Sequence, residues 1–402
     1  MKAVILAAGK GTRMGPLTEN MPKVMLPIAN KPILEHIILN LEAAGIIDFL
    51  IVVGYHKEKI IEYFDNGRSL GVNIEYIEQQ SQNGTADAIK TAREHINGRF
   101  LVSNGDVIAG ISDIKKIINA EGEAILAAKK VANPEAYGIL YIKGKKVEKI
   151  IEKPKNPGSD LANAGIYVFE PSIFDAIDST VPSPRGEYEI TDSIQFIIDS
   201  GKEVCYTPLE HWQDIGFPWH LLEANEKILM DGEEVQWEIR GEVERYVTLN
   251  GKVAIGKDTI VRNGAYIEGP VVIGDNCDIG PNCYIRAATS IGDYARIGNA
   301  AEVKNSIVMK RTHIGHLSYV GDSIIGEGCN FGAGTKVANL RHDGRTVLVE
   351  LGGKRFDSGR RKLGAIMGDN VHTGINSMIN VGATIACGSY IDPGQFIKGS
   401  MK

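Results

Sequence analysis

The stretch IGKDTIVRNGAYIEGPVVIGDNCDIGPNCYI, residues 255–285, decides the fold of the second half of the chain because one spacing governs all of it. An aliphatic residue opens every hexad, at Ile255, Val261, Ile267, Ile273, Ile279 and Ile285. Four positions after these residues stand Thr259, Ala265, Val271, Cys277 and Cys283, nearly all of them small. A repeat of this kind predicts a parallel β-helix in which each hexad forms one side of a triangular coil.

The hexad spacing continues beyond this stretch and is then interrupted. It runs through Ile291, Ile297, Val303 and Met309, and the pattern then predicts a five-residue step from Met309 to Ile314. Such a step displaces the backbone as a bulge does, and His316 and Tyr319 follow it directly. The phase returns at Met367, Thr373, Ile379, Ile385, Ile391 and Ile397. Segment 339–364 is therefore an insertion, and loops this long on a solenoid are usually functional or mobile.

The first half of the chain shows a different pattern, with buried strands and helices in alternation. KAVILAA (2–8), FLIVVGY (49–55) and RFLVSNGD (99–106) are apolar runs that end in glycine or polar residues, which predicts strands. KPILEHIILNLEAAG (31–45) has helical spacing, with Pro32 at its start and Gly45 at its end. The alternation predicts a Rossmann-like, doubly wound mixed α/β sheet, mostly parallel, with ligands over the carboxyl ends of its strands.

Composition excludes several function classes. The net charge of −6 gives no reason to expect a nucleic acid or an anionic membrane as partner. No apolar run approaches the roughly 18 residues of a membrane span, so we expect a cytoplasmic protein. The five cysteines form no CxxC pair, which favours reduced thiols, and Cys277 and Cys283 fall at small core positions of the repeat.

The residues at the strand ends of the first half indicate phosphate chemistry. Gly9 and Gly11 allow backbone N–H groups to approach a phosphate, although a bare glycine turn would explain them as often. Arg13 and Lys23 supply positive charge suited to a triphosphate. Asp106 follows the third strand, and the WxDxG motif places Asp214 in a turn. Two such carboxylates would suit a Mg²⁺ ion that bridges phosphates, although each alone is explained better by a helix cap or a turn.

Eight short blocks identify a family for the first half. LAAGKGTRM…PKVMLPI, QNGTADA, NGD, AYGIL, IEKP, NAGIYVF, GEYEITD and WQDIG occur in the order seen in sugar-1-phosphate nucleotidyltransferases. The resemblance implies a nucleotide loop at Leu6, Ala8, Gly9, Gly11 and Thr12, with catalytic Arg13 and Lys23 on the phosphates. It implies that the base is read at Gln79, Gln82, Gly84 and Thr85. It places the sugar phosphate at Gly105, Tyr137, Gly138, Glu152, Lys153 and Asn163, with Asp106 and Asp214 as Mg²⁺ ligands.

Two blocks in the second half, KNSIVMKRTHIGHLSYVGD (304–322) and GCNFGAGTKVAN (328–339), carry a second family resemblance. The resemblance is to the acetyltransferase half of bifunctional N-acetylglucosamine-1-phosphate uridylyltransferase/glucosamine-1-phosphate acetyltransferases. It implies a left-handed β-helix, a homotrimer and acetyl-CoA as co-substrate. His316 would be the general base, since histidine has a reference pKa of about 6.5. The remaining substrate positions would be Arg286, Lys304, Tyr319, Asn330 and Asn339, with Ala333 and Lys362 near acetyl-CoA.

The expected organisation is a nucleotidyltransferase domain at 1–230, a linker at 231–250 and an acyltransferase β-helix at 251–402. The insertion 339–364 is rich in arginine and lysine and either meets the phosphates of coenzyme A or is a solvated loop. The main prediction is a bifunctional enzyme, and the alternative is a nucleotidyltransferase whose β-helix only assembles trimers. A non-catalytic assembly subunit is a third hypothesis, against which the complete set Arg13, Lys23, Asp106 and Asp214 argues. UTP and dTTP are both possible nucleotides, since the Asp214 motif resembles glucose-1-phosphate thymidylyltransferases. The sugar 1-phosphate is likewise open among glucose, glucosamine, N-acetylglucosamine and galactosamine derivatives.

Overall fold

The computed structural model describes residues 1–232 and 235–401 and divides the chain into two compact units. The first unit contains Met1–Lys10 and Ile33–Asp214, and the second contains Gly11–Pro32 and Ile215–Lys402. Positions 233 and 234 of the predicted linker, and position 402 of the predicted acyltransferase domain, lie outside the described residues.

The first unit is built on a mixed β-sheet of nine strands. Its strands, numbered with a neighbouring two-stranded pair, are β1 (Lys2–Ala7), β2 (Asp48–Val53), β3 (Asn73–Glu78), β4 (Phe100–Asn104), β5 (Val107–Ala109), β6 (Ala124–Lys130), β7 (Gly138–Lys143), β8 (Lys146–Glu152), β9 (Leu161–Phe169), β10 (Val204–Pro208) and β11 (Trp212–Asp214). The sheet order is β3-β2-β1-β4-β9-β6-β10-β8-β7, and β5 pairs separately with β11. Strands β1 to β4 are parallel and β9 runs antiparallel to β4, which confirms the predicted mixed sheet.

Seven α-helices are described, and the first of them lies within the helix predicted over 31–45. They are α1 (Ile33–Ala43), α2 (Lys57–Phe64), α3 (Thr85–Lys90), α4 (Ile111–Ile118), α5 (Ile173–Ser179), α6 (Ile190–Asp199) and α7 (Pro218–Asp231). Short 3₁₀ helices occur at Thr12–Thr18, Lys23–Met25, Arg68–Leu70, Arg93–His95 and Pro134–Ala136. Of the helices in residues 1–232 and 235–401, none is long and apolar enough to span a membrane.

The second unit is a parallel β-helix of three eight-stranded faces, as the hexad repeat predicts. The first face contains Glu242–Val243, Ile260–Val261, Asp278–Ile279, Arg296–Ile297, His313–Ile314, Asn330–Phe331, His372–Thr373 and Tyr390–Ile391. The second contains Thr248–Asn250, Tyr266–Glu268, Tyr284–Ile285, Glu302–Lys304, Tyr319–Gly321, Lys336–Val337, Met378–Ile379 and Phe396–Ile397. The third contains Val253–Ile255, Val271–Ile273, Thr289–Ile291, Ile307–Val308, Ile324–Ile325, Ile366–Met367, Thr384–Ile385 and Ser400–Met401. The predicted left-handed β-helix is confirmed, and its first two strands fall inside the predicted linker.

The inward-facing aliphatic residues of the β-helix follow the predicted six-residue spacing, but the predicted position of the five-residue step is wrong. Ile291 pairs with Val308, not with Met309, so the five-residue step runs from Val303 to Val308. Val308 and Met309 are both apolar and both buried, so spacing alone cannot tell them apart. A second five-residue step runs from Val320 to Ile325. Both steps fall at the corner between the second and third faces, which we call the short corner.

The interior of the β-helix explains the small residues of the repeat. Cys277 and Cys283 are 2% and 1% exposed and pack among the inward aliphatic side chains, as predicted. Burial raises the pKa of Cys283 to about 12, which disfavours the reactive thiolate. All five cysteines are free thiols.

The segment Gly11–Pro32 packs within the second unit through buried polar contacts. Asn225 of α7 is fully buried, and its Oδ1 accepts hydrogen bonds from the backbone N–H of Ala29 and from the hydroxyl of Ser290, each at 2.9 Å. Its Nδ2 donates to the carbonyl of Ala288 at 2.9 Å. The side chain of Asn225 therefore joins three parts of the second unit. These are helix α7, the β-helix, and the segment that carries Arg13 and Lys23.

Candidate active sites

The first candidate site lies at the carboxyl ends of β1, β3 and β4. The carbonyl of Ala8, one residue beyond β1, accepts a hydrogen bond from Nε2 of Gln82 at 2.8 Å. The carbonyl of Leu6 accepts one from the backbone N–H of Gly105 at 2.9 Å. The nucleotide loop therefore contacts a predicted base-reading residue and a predicted sugar-binding residue.

The other predicted base-reading residues are held in place by α3 and its surroundings. Nε2 of Gln79 donates to Oδ2 of Asp87 at 2.8 Å, which fixes the side-chain amide. Gly84 has φ +120°, and a Cβ there would lie 2.5 Å from the carbonyl oxygen of Tyr188, so only glycine fits. The hydroxyl of Thr85 accepts a hydrogen bond from the backbone N–H of Ile190 at 3.0 Å.

The two predicted metal ligands lie beside each other, although the predicted turn at Asp214 is wrong. Asp214 ends strand β11, which pairs antiparallel with β5, and its register partner is Val107. Val107 follows Asp106 directly, so the pairing brings the two aspartates to neighbouring positions. The strand at Trp212–Asp214 contains only three residues, and the strand that it pairs with lies about a hundred positions earlier in the chain. The local sequence therefore could not predict this strand.

The two aspartates fit the requirements of Mg²⁺. This ion is commonly bound through one or two carboxylates and completes its shell with water and substrate phosphates. In residues 1–232 and 235–401 no group of three or more histidine, cysteine, aspartate or glutamate side chains forms a metal cage. A pair of carboxylates that leaves the other positions to phosphates is consistent with that result.

The predicted sugar-phosphate residues cluster around the pairing of β7 with β8. Gly138 is opposite Glu152, and a Cβ on Gly138 would lie 2.9 Å from Oε2 of Glu152. The backbone N–H of Lys153 donates to the carbonyl of Tyr137 at 3.0 Å. The hydroxyl of Tyr137 donates to Oδ2 of Asp214 at 3.2 Å, so a predicted sugar contact and a predicted metal ligand share a hydrogen bond. Nδ2 of Asn163 donates to the hydroxyl of Tyr167 at 2.7 Å on the adjacent strand β9.

Arg185 and Glu189 belong to this cluster and were missed from the sequence. Nη2 of Arg185 lies 3.3 Å from Oε1 of Glu152 and 2.5 Å from Oε1 of Glu189. Burial raises the pKa of Glu189, and the neighbouring Arg185 opposes that rise. The block GEYEITD begins directly after Arg185, so the signal for this pair was present in the motif.

Arg13 and Lys23 both lie in the segment Gly11–Pro32 of the second unit. A Cβ on Gly11, whose φ is +65°, would lie 2.8 Å from Cβ of Lys23, so the glycine loop rests directly on this lysine. Lys23 is only 8% exposed. Arg13 is exposed, and its guanidinium carbon lies 5.3 Å from the ring centroid of Phe217. The structure places the two cations in one segment of the second unit and the two aspartates at the paired strands β5 and β11, and the assembly of all four stays a prediction.

The second candidate site is built on the short corner of the β-helix. Asp322, at the second five-residue step, is 2% exposed and has φ +50°. Its Oδ1 accepts a hydrogen bond from Nδ2 of Asn305 at 2.8 Å, one coil earlier. Its Oδ2 lies 3.6 Å from Nζ of Lys304 and 2.5 Å from Nδ2 of Asn339. The two shortened turns therefore stack and gather these side chains around one buried carboxylate.

Tyr319 joins the same cluster. Its hydroxyl lies 3.1 Å from Nδ2 of Asn339, which donates to it. Burial raises the pKa of Tyr319, and the carboxylates of Glu302 and Asp322 raise it further, so the phenol keeps its proton. Glu302 lies one coil before Tyr319, and Arg286 of the coil before that pairs with it at 3.0 Å. Four predicted acetyltransferase residues, Arg286, Lys304, Tyr319 and Asn339, therefore lie along one edge of the coil, and Asp322 is an addition that the sequence did not reveal.

A cavity of about 410 Å³ opens at this corner. Lys304, Asn305 and Asp322 line one side of it, and Arg360 and Lys362 of the insertion line another. Arg360 is paired with Glu226 of α7 through both terminal nitrogens, each 3.1 Å from Oε2. The cavity therefore combines cationic side chains from the insertion with the buried carboxylate of the short corner.

His316 and Asn330 lie on different parts of the coil from this cluster. His316 is exposed in the turn between the first and second faces, and its carbonyl accepts a hydrogen bond from the backbone N–H of Gly334 at 2.7 Å. Ala333 occupies the same corner one coil later. Asn330 is exposed on the first face, in register with His313. The chain thus presents the predicted site residues at two corners of its coil.

Comparison with known proteins gives matches in both halves of the chain. The nucleotidyl transferase family model matches residues 2–231, and a GMPPB C-terminal domain model matches residues 267–392. Bifunctional protein GlmU of Methanocaldococcus jannaschii is 43% identical over 97% of this chain and 93% of its own length. A bifunctional sugar-1-phosphate nucleotidylyltransferase/acetyltransferase of Sulfurisphaera tokodaii is 41% identical over 99% of this chain and 97% of its own length.

A solved structure also matches part of the chain. It is described as a glucose-1-phosphate thymidylyltransferase from Bacillus anthracis in complex with sucrose. It has a TM-score of 0.53 and 30% sequence identity, and the match covers 60% of this chain and 98% of that chain.

Proposed function

The chain belongs to the nucleotidyl transferase family and, within it, to the bifunctional sugar-1-phosphate nucleotidylyltransferase/acetyltransferases, and on that premise we propose how its residues divide between two reactions. The second unit N-acetylates glucosamine 1-phosphate, or galactosamine 1-phosphate, with acetyl-CoA. The nucleotidyltransferase residues then transfer UMP or dTMP from UTP or dTTP to a sugar 1-phosphate and release pyrophosphate. The product is a sugar nucleotide of the UDP-N-acetylglucosamine type, made in the cytoplasm.

In nucleotidyl transfer, a phosphate oxygen of the sugar 1-phosphate attacks the α-phosphorus of the nucleotide, and the bond to pyrophosphate breaks. The protein needs no nucleophile, so catalysis consists of positioning and charge neutralisation. Arg13 and Lys23 hold the phosphates, and Tyr137, Gly138 and Glu152 orient the sugar. Asp106 and Asp214 would hold Mg²⁺, which supplies further neutralisation of phosphate charge when it is bound.

In acetyl transfer, the amine nitrogen of the sugar attacks the thioester carbonyl, and coenzyme A leaves as its thiol. The attacking amine must lose a proton, and His316 accepts it as general base. Arg286 and Lys304 bind the sugar phosphate, and Tyr319 donates a hydrogen bond from its protonated hydroxyl. Asn330 and Asn339 orient the amino sugar, and Ala333 and Lys362 lie near acetyl-CoA.

One observation favours the bifunctional enzyme over a nucleotidyltransferase with a β-helical scaffold. Stacking of the coils requires aliphatic and small residues inside, and nothing in that requirement calls for a buried aspartate that contacts Lys304 and Asn339. Burial of such a network is costly unless it is satisfied, which favours a role in binding. Release of coenzyme A from acetyl-CoA in the presence of glucosamine 1-phosphate tests the assignment. If no amino-sugar phosphate supports that release, the scaffold alternative is correct.

We also propose that the active protein is a homotrimer assembled through its β-helices. His316 and Lys304 lie at different corners of the triangular coil, so a neighbouring copy would complete each acetyltransferase site. Light scattering should give the mass of three chains. A monomer with full acetyl transfer would contradict the proposal.

Asp322→Asn should weaken acetyl transfer without affecting nucleotidyl transfer. An amide in place of this carboxylate removes the charge facing Lys304 and an acceptor for Asn339. We expect the KM for the amino-sugar phosphate to rise about tenfold, since hydrogen bonds to charged groups are the stronger ones. Steady-state kinetics with both substrates measure the effect. Asp258→Asn is the matched control, because Asp258 is an exposed corner aspartate with φ +56°, and an unchanged KM in Asp322→Asn would refute the role.

The substrate matrix remains the most informative assay for specificity. UTP and dTTP are each combined with glucose, N-acetylglucosamine and N-acetylgalactosamine 1-phosphates, and pyrophosphate release is measured. UTP and dTTP differ only in the base methyl group and the ribose 2′-hydroxyl. The preferred pair identifies the nucleotide and the sugar, and absence of release with every pair would reject the nucleotidyltransferase function.

A further inference from the structure

We propose that the hairpin of the insertion, Leu348–Asp357, positions Arg13 for nucleotidyl transfer. This inference rests on the proposed role of Arg13 in binding the nucleotide phosphates. The hairpin consists of strands Leu348–Leu351 and Lys354–Asp357, joined at Gly352 and Gly353. The loop therefore has a defined structure and is more than the solvated segment that its composition allowed.

The hairpin first touches the turn that carries Arg13 at Gly15. Arg13 and Gly15 both lie in the 3₁₀ turn Thr12–Thr18. A Cβ on Gly15 would come within 2.7 Å of Cδ2 of Leu351, and Leu351 is 6% exposed. The end of the first hairpin strand is thus packed against this turn at a position where a side chain would not fit.

The second contact passes through two aromatic rings. The ring centroid of Phe356 lies 5.1 Å from that of Phe217, with the planes tilted by 51°. Phe217 is stacked on Trp219 at 4.7 Å, and the guanidinium carbon of Arg13 lies 5.3 Å from its ring centroid. A guanidinium at this distance from an aromatic ring is held by a cation–π attraction. Phe356 therefore supports the ring on which Arg13 rests.

The base of the hairpin is anchored, so the support is stiff. Val347 and Val349 are fully buried, and the carbonyl of Glu350 accepts a hydrogen bond from the hydroxyl of Thr384 at 3.1 Å. Arg360, after the second strand, is bound by Glu226 of α7, the helix that begins directly after Phe217. The hairpin and the rings of Phe217 and Trp219 are therefore both anchored at helix α7, and the hairpin is also anchored to the β-helix.

A positioning role differs in its kinetics from a purely structural one. If the rings only stabilised the second unit, their loss would lower the melting temperature and affect both reactions. If they place Arg13, their loss would affect only the reaction that uses Arg13. Small displacements of a phosphate-binding arginine are costly because catalysis here depends on geometry.

The test is the full-length variant Phe356→Ala, assayed for both reactions. We expect kcat/KM for nucleotidyl transfer to fall about tenfold, with a higher KM for the nucleoside triphosphate, while acetyl transfer is unchanged. Phe356→Tyr should restore most of the activity, and Phe356→Leu, which keeps apolar contact without the ring, should not. Arg355→Ala, the exposed neighbour on the same strand, is the control and should match the wild type.

A double-mutant comparison decides whether Phe356 positions Arg13 or only stabilises the second unit. If Phe356 acts through Arg13, Phe356→Ala should add nothing to the loss in Arg13→Ala. Independent additive losses, equal losses in both reactions, or an unchanged nucleotidyl KM in Phe356→Ala would overturn the proposal. A wild-type enzyme that releases no pyrophosphate would instead reject the proposed function. Calorimetric titration of UTP into wild type and Phe356→Ala still reports on the hairpin in that case, because equal affinities would overturn the positioning role.

Discussion

Asp106→Asn should reduce nucleotidyl transfer by about 10²–10³ while acetyl transfer continues at the wild-type rate. Asparagine preserves the size of the side chain and removes its negative charge. The strand pairing that places Asp214 opposite Val107 brings its backbone close to Asp106, the residue before Val107, and a hard cation such as Mg²⁺ prefers charged oxygen ligands. The expected loss is large because a weakened metal site leaves only Arg13 and Lys23 to neutralise the charge of the phosphates.

Pyrophosphate release at several magnesium concentrations measures this effect. We expect Asp106→Asn to need more magnesium and to lose the magnesium-dependent rise in melting temperature that the wild type should show with nucleotide bound. Asp199→Asn, at the exposed end of α6, is the matched control and should behave as the wild type. Normal pyrophosphate release by Asp106→Asn would remove Asp106 from the metal site.

If the chain is a bifunctional enzyme, the two halves can be tested separately, because each reaction has its own assay. Asp106 lies in the first unit, and the cluster around Asp322 lies in the second. A variant that unfolds the whole protein would reduce both activities, whereas each predicted site variant should reduce one. Retained acetyl transfer in Asp106→Asn therefore shows that the second unit is still folded.

The periodic parts of the fold could be predicted from the sequence because their signals are local. The strand at Lys2–Ala7 and the helix at Ile33–Ala43 were expected from apolar spacing and from Pro32 and Gly45. The β-helix followed from a six-residue repeat, because each coil buries the same position. The family resemblance then supplied residue roles that spacing alone could not.

The parts that escaped prediction depend on contacts between distant positions. Strand Trp212–Asp214 has too few residues to show a pattern, and its partner is Val107–Ala109. The five-residue step was misplaced because Val308 and Met309 satisfy the apolar requirement equally well.

Asp322 was missed for a related reason. An aspartate after a glycine in a repeat corner is indistinguishable in sequence from an ordinary turn residue. Its importance appears only when two shortened corners, 17 residues apart, stack and bring Asn305 against it. The packing of Phe356 on Phe217 could not be read from sequence for the same reason, since 139 residues separate the two rings.

His316→Ala should reduce acetyl transfer by about 10²–10⁴, the usual contribution of a general base. His316 is exposed at the corner between the first and second faces, which is suited to a group that must reach a substrate rather than to one that supports the core. Removal of an exposed side chain at a corner leaves the inward lattice of Ile314 and Val320 intact. The loss should therefore appear in kcat with little change in stability.

Coenzyme A release with glucosamine 1-phosphate measures the effect, and pyrophosphate release with N-acetylglucosamine 1-phosphate should stay at the wild-type rate. His313→Ala is the matched control, because His313 is an exposed histidine three residues earlier with no assigned role. If both variants retain full acetyl transfer, His316 is not the base. Loss confined to His316→Ala, in a protein that still transfers nucleotide, would establish the β-helix as an enzyme, because a scaffold that only assembles trimers has no use for a proton acceptor.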